Sequence, residues 1–253
     1  MHPNNNHKIY FASDFHLGVP DLAKSMEREK LLVKWLEMAS KDAKEIYLMG
    51  DLFDFWFEYK HSIPKGFTRF LGKLAQICDS GIPVHVFIGN HDMWMFGYLE
   101  SEIGVNIIRK PIDIELNGKL FHLAHGDGLG PGDRGYKMIK KIFASKTCQW
   151  LFARIHPNTG ISIANFWSKR SRLKEKQVPE FMGEEKEWLI HYCKEKLEEK
   201  NYDFFIFGHR HLPIEHVFEN GAKYINLGDW IQHNTYAVFS NELVELKKFE
   251  MIN

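Results

Sequence analysis

Ile9-Tyr10-Phe11-Ala12-Ser13-Asp14-Phe15-His16 decides the reading of this chain: a short apolar run is ended at once by a carboxylate and an imidazole. Four apolar residues in a row, with no polar alternation, mark a strand covered on both faces. Ile46 to Met49 and Val84 to Ile88 repeat the pattern. Between them lie Leu22 to Ala39, with Leu22, Met26, Val33 and Leu36 near helical spacing, and Phe67 to Cys78, with Phe67, Phe70, Leu71, Leu74 and Ile77. The spacing predicts a βαβαβ opening. Its right-handed crossovers would bring the strand C-termini to one edge, where open α/β sheets build their sites.

Further along, Asn117-Gly118 joins Ile112–Leu116 to Leu120–Ala124 and carries the signal of a hairpin turn. A long helical region comes next, in which Pro157-Asn158-Thr159-Gly160 is expected to break the pattern and Glu184 to Lys200 to resume it as a charged amphipathic helix. Strands return at Phe204–Phe207, Ile214–Phe218, Lys223–Leu227, Tyr236–Phe239 and Leu243–Lys247. The expected organisation is a strand-rich α/β core over 1–133 and 181–253, interrupted by a helical insertion over 134–180.

Composition narrows the function classes. With 253 residues, 44% hydrophobic and 26% charged, the chain is too apolar for disorder and poor in the Gly and Pro of fibrous proteins. Cys78, Cys148 and Cys193 are unclustered, which argues against a disulfide framework or a thiolate zinc site and for a reducing compartment. Met1 to His7 is polar, so no secretory signal is expected, and no stretch nears the ~18 apolar residues of a spanning helix. Thirty-three bases balance thirty-three acids overall, yet Arg134 to Lys176 holds eleven bases and one acid, a local charge of +10 against −10 elsewhere. Such a zone attracts phosphates, nucleic acid or an anionic bilayer. Ile142, Phe143, Trp150, Leu151, Phe152, Phe166 and Trp167 run through it, which speaks against a merely solvated face.

The polar residues fall at strand ends. Asp14 and His16 follow the first strand, Gly50-Asp51 the second and Gly89-Asn90-His91-Asp92 the third; His125-Gly126-Asp127 and Gly208-His209-Arg210-His211 follow two later ones. Alone, each has an ordinary explanation: Asp51-Leu-Phe-Asp54 as a helix cap, Asn-His-Asp as a turn. Five together at one sheet edge form a ligand set. In this order they resemble the calcineurin-like metallophosphoesterases. That resemblance covers nearly the whole chain and implies a four-layer α-β-β-α sandwich with a helical lid insertion and two divalent metals between the sheets. It implies that Asp14, His16, Asp51 and His211 hold one metal and Asp51, Asn90, His125 and His209 the other, with Asp51 bridging.

Mixed imidazole and oxygen donors suit Mn²⁺, Fe²⁺, Zn²⁺ or Co²⁺ better than Mg²⁺ or Ca²⁺; Mn²⁺ is the expected metal, with Fe²⁺ or Zn²⁺ as alternatives. Two dications against two ligating carboxylates leave a positive surplus that a hydroxide and a phosphate can neutralise. A pair about 3.5–4 Å apart lowers the pKa of water and clamps phosphate oxygens. His91 is the candidate for the leaving oxygen and Asp92 for orienting its imidazole.

Four stretches are similar to the UDP-2,3-diacylglucosamine hydrolases of lipid A biosynthesis: Tyr47 to Trp56, Gly81-Ile82-Pro83, His125-Gly126-Asp127 with Asp133-Arg134-Gly135-Tyr136, and Leu227-Gly228-Asp229-Trp230. Well-known members carry Arg where this chain has His91. The likeness implies a lid that receives acyl chains, a UDP-sugar lipid substrate cleaved to UMP and a sugar 1-phosphate, and Asp133, Arg170, Ser171 and Lys174 as substrate contacts. A cytoplasmic protein with peripheral contact to an anionic inner membrane is expected, without nucleic acid; the oligomeric state is open. The rival readings are a broad phosphodiesterase or nuclease, with the basic zone along a backbone, and a binding scaffold without turnover.

Overall fold

The computed structural model describes residues 8–131, 134–174, 180–181 and 183–250, with the main chain alone at 134 and 169–174. The elements run β1 (Lys8–Ala12), α1 (Leu22–Ala39), β2 (Ala43–Leu48), α2 (Thr68–Asp79), β3 (Val84–Phe87), β4 (Asn106–Ile108), β5 (Ile112–Leu116) and β6 (Lys119–Leu123). Three consecutive helices come next, α3 (Arg134–Ala144), α4 (Lys146–Phe152) and α5 (Pro157–Lys174). The chain then forms α6 (Trp188–Glu199), β7 (Phe204–Phe207), β8 (Pro213–Val217), β9 (Lys223–Leu227), β10 (Thr235–Ser240) and β11 (Leu243–Lys248).

Two sheets result, ordered β11-β10-β1-β2-β3-β4 and β5-β6-β7-β9-β8. β1 to β4 are parallel in the first, and β6, β7 and β9 in the second. The strands explain the layering through their period of two. Ile9 and Phe11 of β1, Tyr47 of β2 and Phe87 of β3 meet Phe121, Phe204, Ile206 and Ile225 between the sheets. Tyr10 and Ala12, Ile46 and Leu48, Val84 and Val86 point the other way, onto α1 and α2. Phe205, Phe207 and Tyr224 pack on Leu189, Ile190 and Cys193 of α6. This is the expected α-β-β-α sandwich. Each buried Phe side chain stabilises it by roughly 1.5–3 kcal/mol relative to exposure.

Local expectations were met unevenly. The hairpin turn is as read, with Asn117 and Gly118 at positive φ of 48° and 80° and β5 antiparallel to β6. For α1 the bounds hold but the inward face does not: Leu22 is 85% exposed and Met26 is exposed, while Ser25, Arg28, Glu29, Leu32, Trp35, Leu36 and Ala39 are buried. Polar anchors set that rotation. Arg28 donates to the His16 carbonyl at 2.7 Å, and Glu29 Oε1 accepts from the Arg69 and Phe70 amides, capping α2 where Phe67 offers no side-chain acceptor. Pro157 does not break a helix but opens α5, since its fixed φ and missing N–H suit a first turn. Glu184 to Lys200 divides into a short 3₁₀ turn, Glu184–Lys186, and α6. β4 went unforeseen because three residues carry too little periodicity.

The helices of 134–174 are tied to the core. Tyr136 Oη donates to Asp127 at 2.6 Å and Lys140 pairs with the same carboxylate at 2.6 Å. Trp94 Nε1 donates to the Phe143 carbonyl at 2.8 Å, and Phe152 packs against Phe57 and Trp94 with ring centroids 4.8 and 4.7 Å away. Outward, Met138, Ile139, Ile142, Trp150, Leu151, Ile163, Phe166 and Trp167 remain exposed. Among the described residues no helix is long and apolar enough to cross a membrane.

Candidate metal centre

Each parallel strand delivers its polar residues to the same edge, and backbone hydrogen bonds lock the loops together. The Asp14 amide donates to the Gly50 carbonyl at 3.1 Å, that of His16 to Asp51 at 2.9 Å, and that of Gly208 to His125 at 2.9 Å. Asp14 (φ 58°), His16 (43°), Asp51 (54°), His209 (68°) and His211 (53°) all adopt left-handed backbone. That conformation costs side-chain-bearing residues of order 1–3 kcal/mol each and persists where the surroundings over-determine it. Half of the ten such residues described in this chain belong to the candidate ligand set. Two glycines permit the close approach: a Cβ on Gly89 would collide with Asp51 Oδ1, and one on Gly208 with Ser13 Oγ.

The carboxylates show what the site is shaped for. Asp14 Oδ2 accepts from Ser13 Oγ and the His209 amide, and Asp51 Oδ1 from the His91 amide. Their other oxygens, Asp14 Oδ1 and Asp51 Oδ2, are buried without a hydrogen-bond partner. Imidazole nitrogens surround them. His211 Nε2 is 3.2 Å and His16 Nε2 3.6 Å from Asp14 Oδ1; His125 Nε2 is 3.3 Å and His16 Nε2 3.7 Å from Asp51 Oδ2. Unsatisfied buried carboxylate oxygens facing ring nitrogens are costly unless a cation completes the set. Asp14, His16, Asp51 and His211 offer ligand atoms within 4.8 Å of one another, and so do Asp51, His125 and His209; the two groups share Asp51. Asn90 Oδ1 lies 3.4 Å from His125 Nε2, beside the second group. The donor set therefore fits two divalent cations.

Supporting contacts orient the rings. His125 Nδ1 donates to the Met49 carbonyl at 2.8 Å, which turns Nε2 toward Asp51 as the nitrogen left for a cation. Asp229, whose Oδ1 accepts from the Gln232 and His233 amides, has Oδ2 3.8 Å from His211 Nδ1. Burial would raise Asp14, but His211 and His16 hold it well below the usual carboxylate range. Asp51 is likewise held low, against burial, by His125. In return, and again against burial, Asp51 raises His125 to about 10, whereas burial and the neighbouring His125 push His209 down to about 4.

Metal binding should therefore depend on pH with a definite sign. Without cations His125 is protonated at neutral pH, so a cation that takes its Nε2 must displace a proton. Affinity for Mn²⁺ is expected to rise with pH up to about 10, each binding event releasing protons. Calorimetric titration in buffers of different ionisation enthalpy measures the release; a buffer-independent heat and flat affinity between pH 6 and 8 would contradict it.

The structure brings Asp14, His16, Asp51, Asn90, His125, His209 and His211 together and sets His91 beside them, its ring 4.8 Å from that of His16. For Asp92 the expectation needs correction. Its Oδ2 accepts from the Leu52 and Phe53 amides and its Oδ1 from the Gly89 amide, so it clamps the two ligand loops to each other. Burial, then the like charge of Asp51, raises it to about 7. The residue next to the His91 imidazole is Asp54, whose carbonyl is 3.0 Å and Oδ1 3.5 Å from His91 Nδ1, with Oδ1 also 3.7 Å from His16 Nδ1. In sequence Asp54 reads as a cap, and no spacing rule marks it. Asp133 lies outside the described residues; Arg170, Ser171 and Lys174 have their main chain in α5, but their side chains lie outside what is described.

Residues 7–213 match the calcineurin-like phosphoesterase family. The chain is 41% identical over 256 residues to a Porphyromonas gingivalis protein named UDP-2,3-diacylglucosamine hydrolase, covering 96% of this chain and 98% of that one. Proteins of the same name from Shewanella piezotolerans and Aeromonas salmonicida are 25% and 27% identical, covering 94% and 91% of this chain and 97% and 89% of theirs. The nuclease and scaffold readings gain nothing from these relatives.

Proposed function

The chain belongs to the calcineurin-like phosphoesterase family, and from that premise we propose that it hydrolyses the pyrophosphate of UDP-2,3-diacylglucosamine to UMP and 2,3-diacylglucosamine 1-phosphate. The observation that carries this is the 41% identity with the P. gingivalis hydrolase over nearly the full length of both chains. Asp14, His16, Asp51 and His211 would hold one cation, and Asp51, Asn90, His125 and His209 the other. When bound, the pair would polarise the phosphate oxygens and lower the pKa of the attacking water. Mn²⁺ is the metal we expect, with Fe²⁺ and Zn²⁺ as alternatives that the same mixed N and O donors admit. His91, held through Nδ1 by Asp54, would present Nε2 to the leaving oxygen. The decisive experiment tracks UMP release from the purified lipid with Mn²⁺, with a chelated control. Metal-dependent release supports the reading; cleavage of generic phosphodiesters only would remove the lipid assignment and leave the metal site.

The insertion over 134–180 would act as the lid, with the acyl chains against its apolar residues and Asp133, Arg170, Ser171 and Lys174 toward the sugar and phosphates. Its exposed Met138, Ile142, Trp150 and Leu151 stand among Lys137, Lys141, Lys146 and Arg154. That combination fits the cytoplasmic face of an anionic bilayer, where each base contributes about 1 kcal/mol. Co-sedimentation with phosphatidylglycerol vesicles, lost in high salt and absent with phosphatidylcholine, is the expected result. Equal binding to both lipids would argue against it.

A further inference from the structure

α5 buries little of itself. From Pro157 to Ser168 every residue is exposed or half-exposed except Gly160 and Ser168. Gly160 packs its backbone against Tyr59 Oη and the Phe152 ring, leaving no room for a Cβ. Ser168 is the one buried polar side chain described in this helix, 9% exposed, and its hydroxyl donates to Asp54 Oδ2 at 2.6 Å. That length belongs to the charge-assisted class of hydrogen bonds. Asp54 meets His91 Nδ1 twice, through its main-chain carbonyl at 3.0 Å and through the other carboxylate oxygen at 3.5 Å, and that oxygen also faces His16 Nδ1 at 3.7 Å. Asp54 is itself 4% exposed, so its carboxylate meets Ser168 and His16 away from water, where direction and distance count most, while the His91 side chain keeps 21% of its surface open.

We propose that Ser168 is a positioning residue. By fixing the Asp54 carboxylate it lets the helical insertion set the orientation of the His91 imidazole, so the seating of α5 and the alignment of the leaving-group donor are one event. The proposal rests on the role given to His91 under the proposed function. It separates Ser168 from a substrate contact, because its hydroxyl proton is already committed to Asp54 in the protein alone. It also gives the insertion a second task besides covering the substrate: α5 joins residues 114 positions apart in sequence into one hydrogen-bonded unit with the catalytic edge.

A double-mutant cycle tests it with the full chain and Mn²⁺. S168A is expected to lower kcat on UDP-2,3-diacylglucosamine about tenfold, the scale of one charge-assisted hydrogen bond, with KM within about twofold and metal content unchanged. D54N should cost about a hundredfold, and the double variant no more than D54N alone, because residues acting through one another are not additive. S168T, which keeps the hydroxyl, should stay within about threefold of the native chain. Multiplying losses in the double variant, a raised KM at unchanged kcat, lost metal in S168A, an unaffected S168A, or S168T as impaired as S168A would each overturn the proposal. The same cycle on the phenyl ester of UMP replaces the lipid phosphate by phenolate, a poorer leaving group that depends more on a proton donor. Native activity there but not on the lipid removes the substrate reading while the Ser168 test still stands; inactivity on both removes both.

Discussion

Asp51→Ala is expected to abolish turnover, by about 10³-fold or more, and to empty both cation sites. Asp51 is the carboxylate common to both ligand groups, and its Oδ2 is buried with no hydrogen-bond partner. Removing it leaves four imidazoles, His16, His125, His209 and His211, with Asn90 and only Asp14 to offset two dications. A loss of several kcal/mol of charge stabilisation corresponds to about three decades or more in rate. Alanine would also remove the acceptor of the His91 amide and tolerate φ 54° less well than Asp. Asp51→Asn separates these effects, since its amide oxygen can still accept from His91 while the charge is gone. Both variants should fold with native circular dichroism, retain under one metal per chain by elemental analysis and be inactive. Native turnover in either would remove the site.

Replacing 134–180 by a short Gly-Ser linker is expected to cost lipid hydrolysis at least about a hundredfold while bis(p-nitrophenyl) phosphate is still cleaved within a few-fold of the native rate. Withdrawing burial from as few as four acyl methylenes, at about 0.8 kcal/mol each, forfeits about 3 kcal/mol. The small diester has no acyl chain to lose, and its nitrophenolate departs as a stable anion without taking a proton, so loss of Ser168 with the insertion matters little there. The deletion uncovers Phe55, Phe57 and Trp94, which pack on Phe152, and low salt with mild detergent keeps those rings from driving association. Parallel losses on both substrates would argue against a lid.

The apolar grammar and the ligand set were legible because they are local. Strands such as Ile9 to Ala12 and Phe204 to Phe207 announce burial on both faces, and the turn after each of them must carry the polar residues. All seven candidate ligands were readable that way, and the structure brings them to one edge. The buried polar partnerships were not. Arg28 and Glu29 rotate α1 away from the face its apolar spacing favoured, Asp92 clamps loops where an imidazole partner was expected, and Asp54 takes that place instead. Hydrophobic burial scales with area and has no direction, so it leaves a periodic trace along the chain. A hydrogen bond acts over about 3 Å and only along its axis, so its partner is decided by where the backbone places two distant residues. The sequence by itself therefore determined the layers and the metal-binding edge; which carboxylate serves His91, and that Ser168 reaches it, was decided by the tertiary structure.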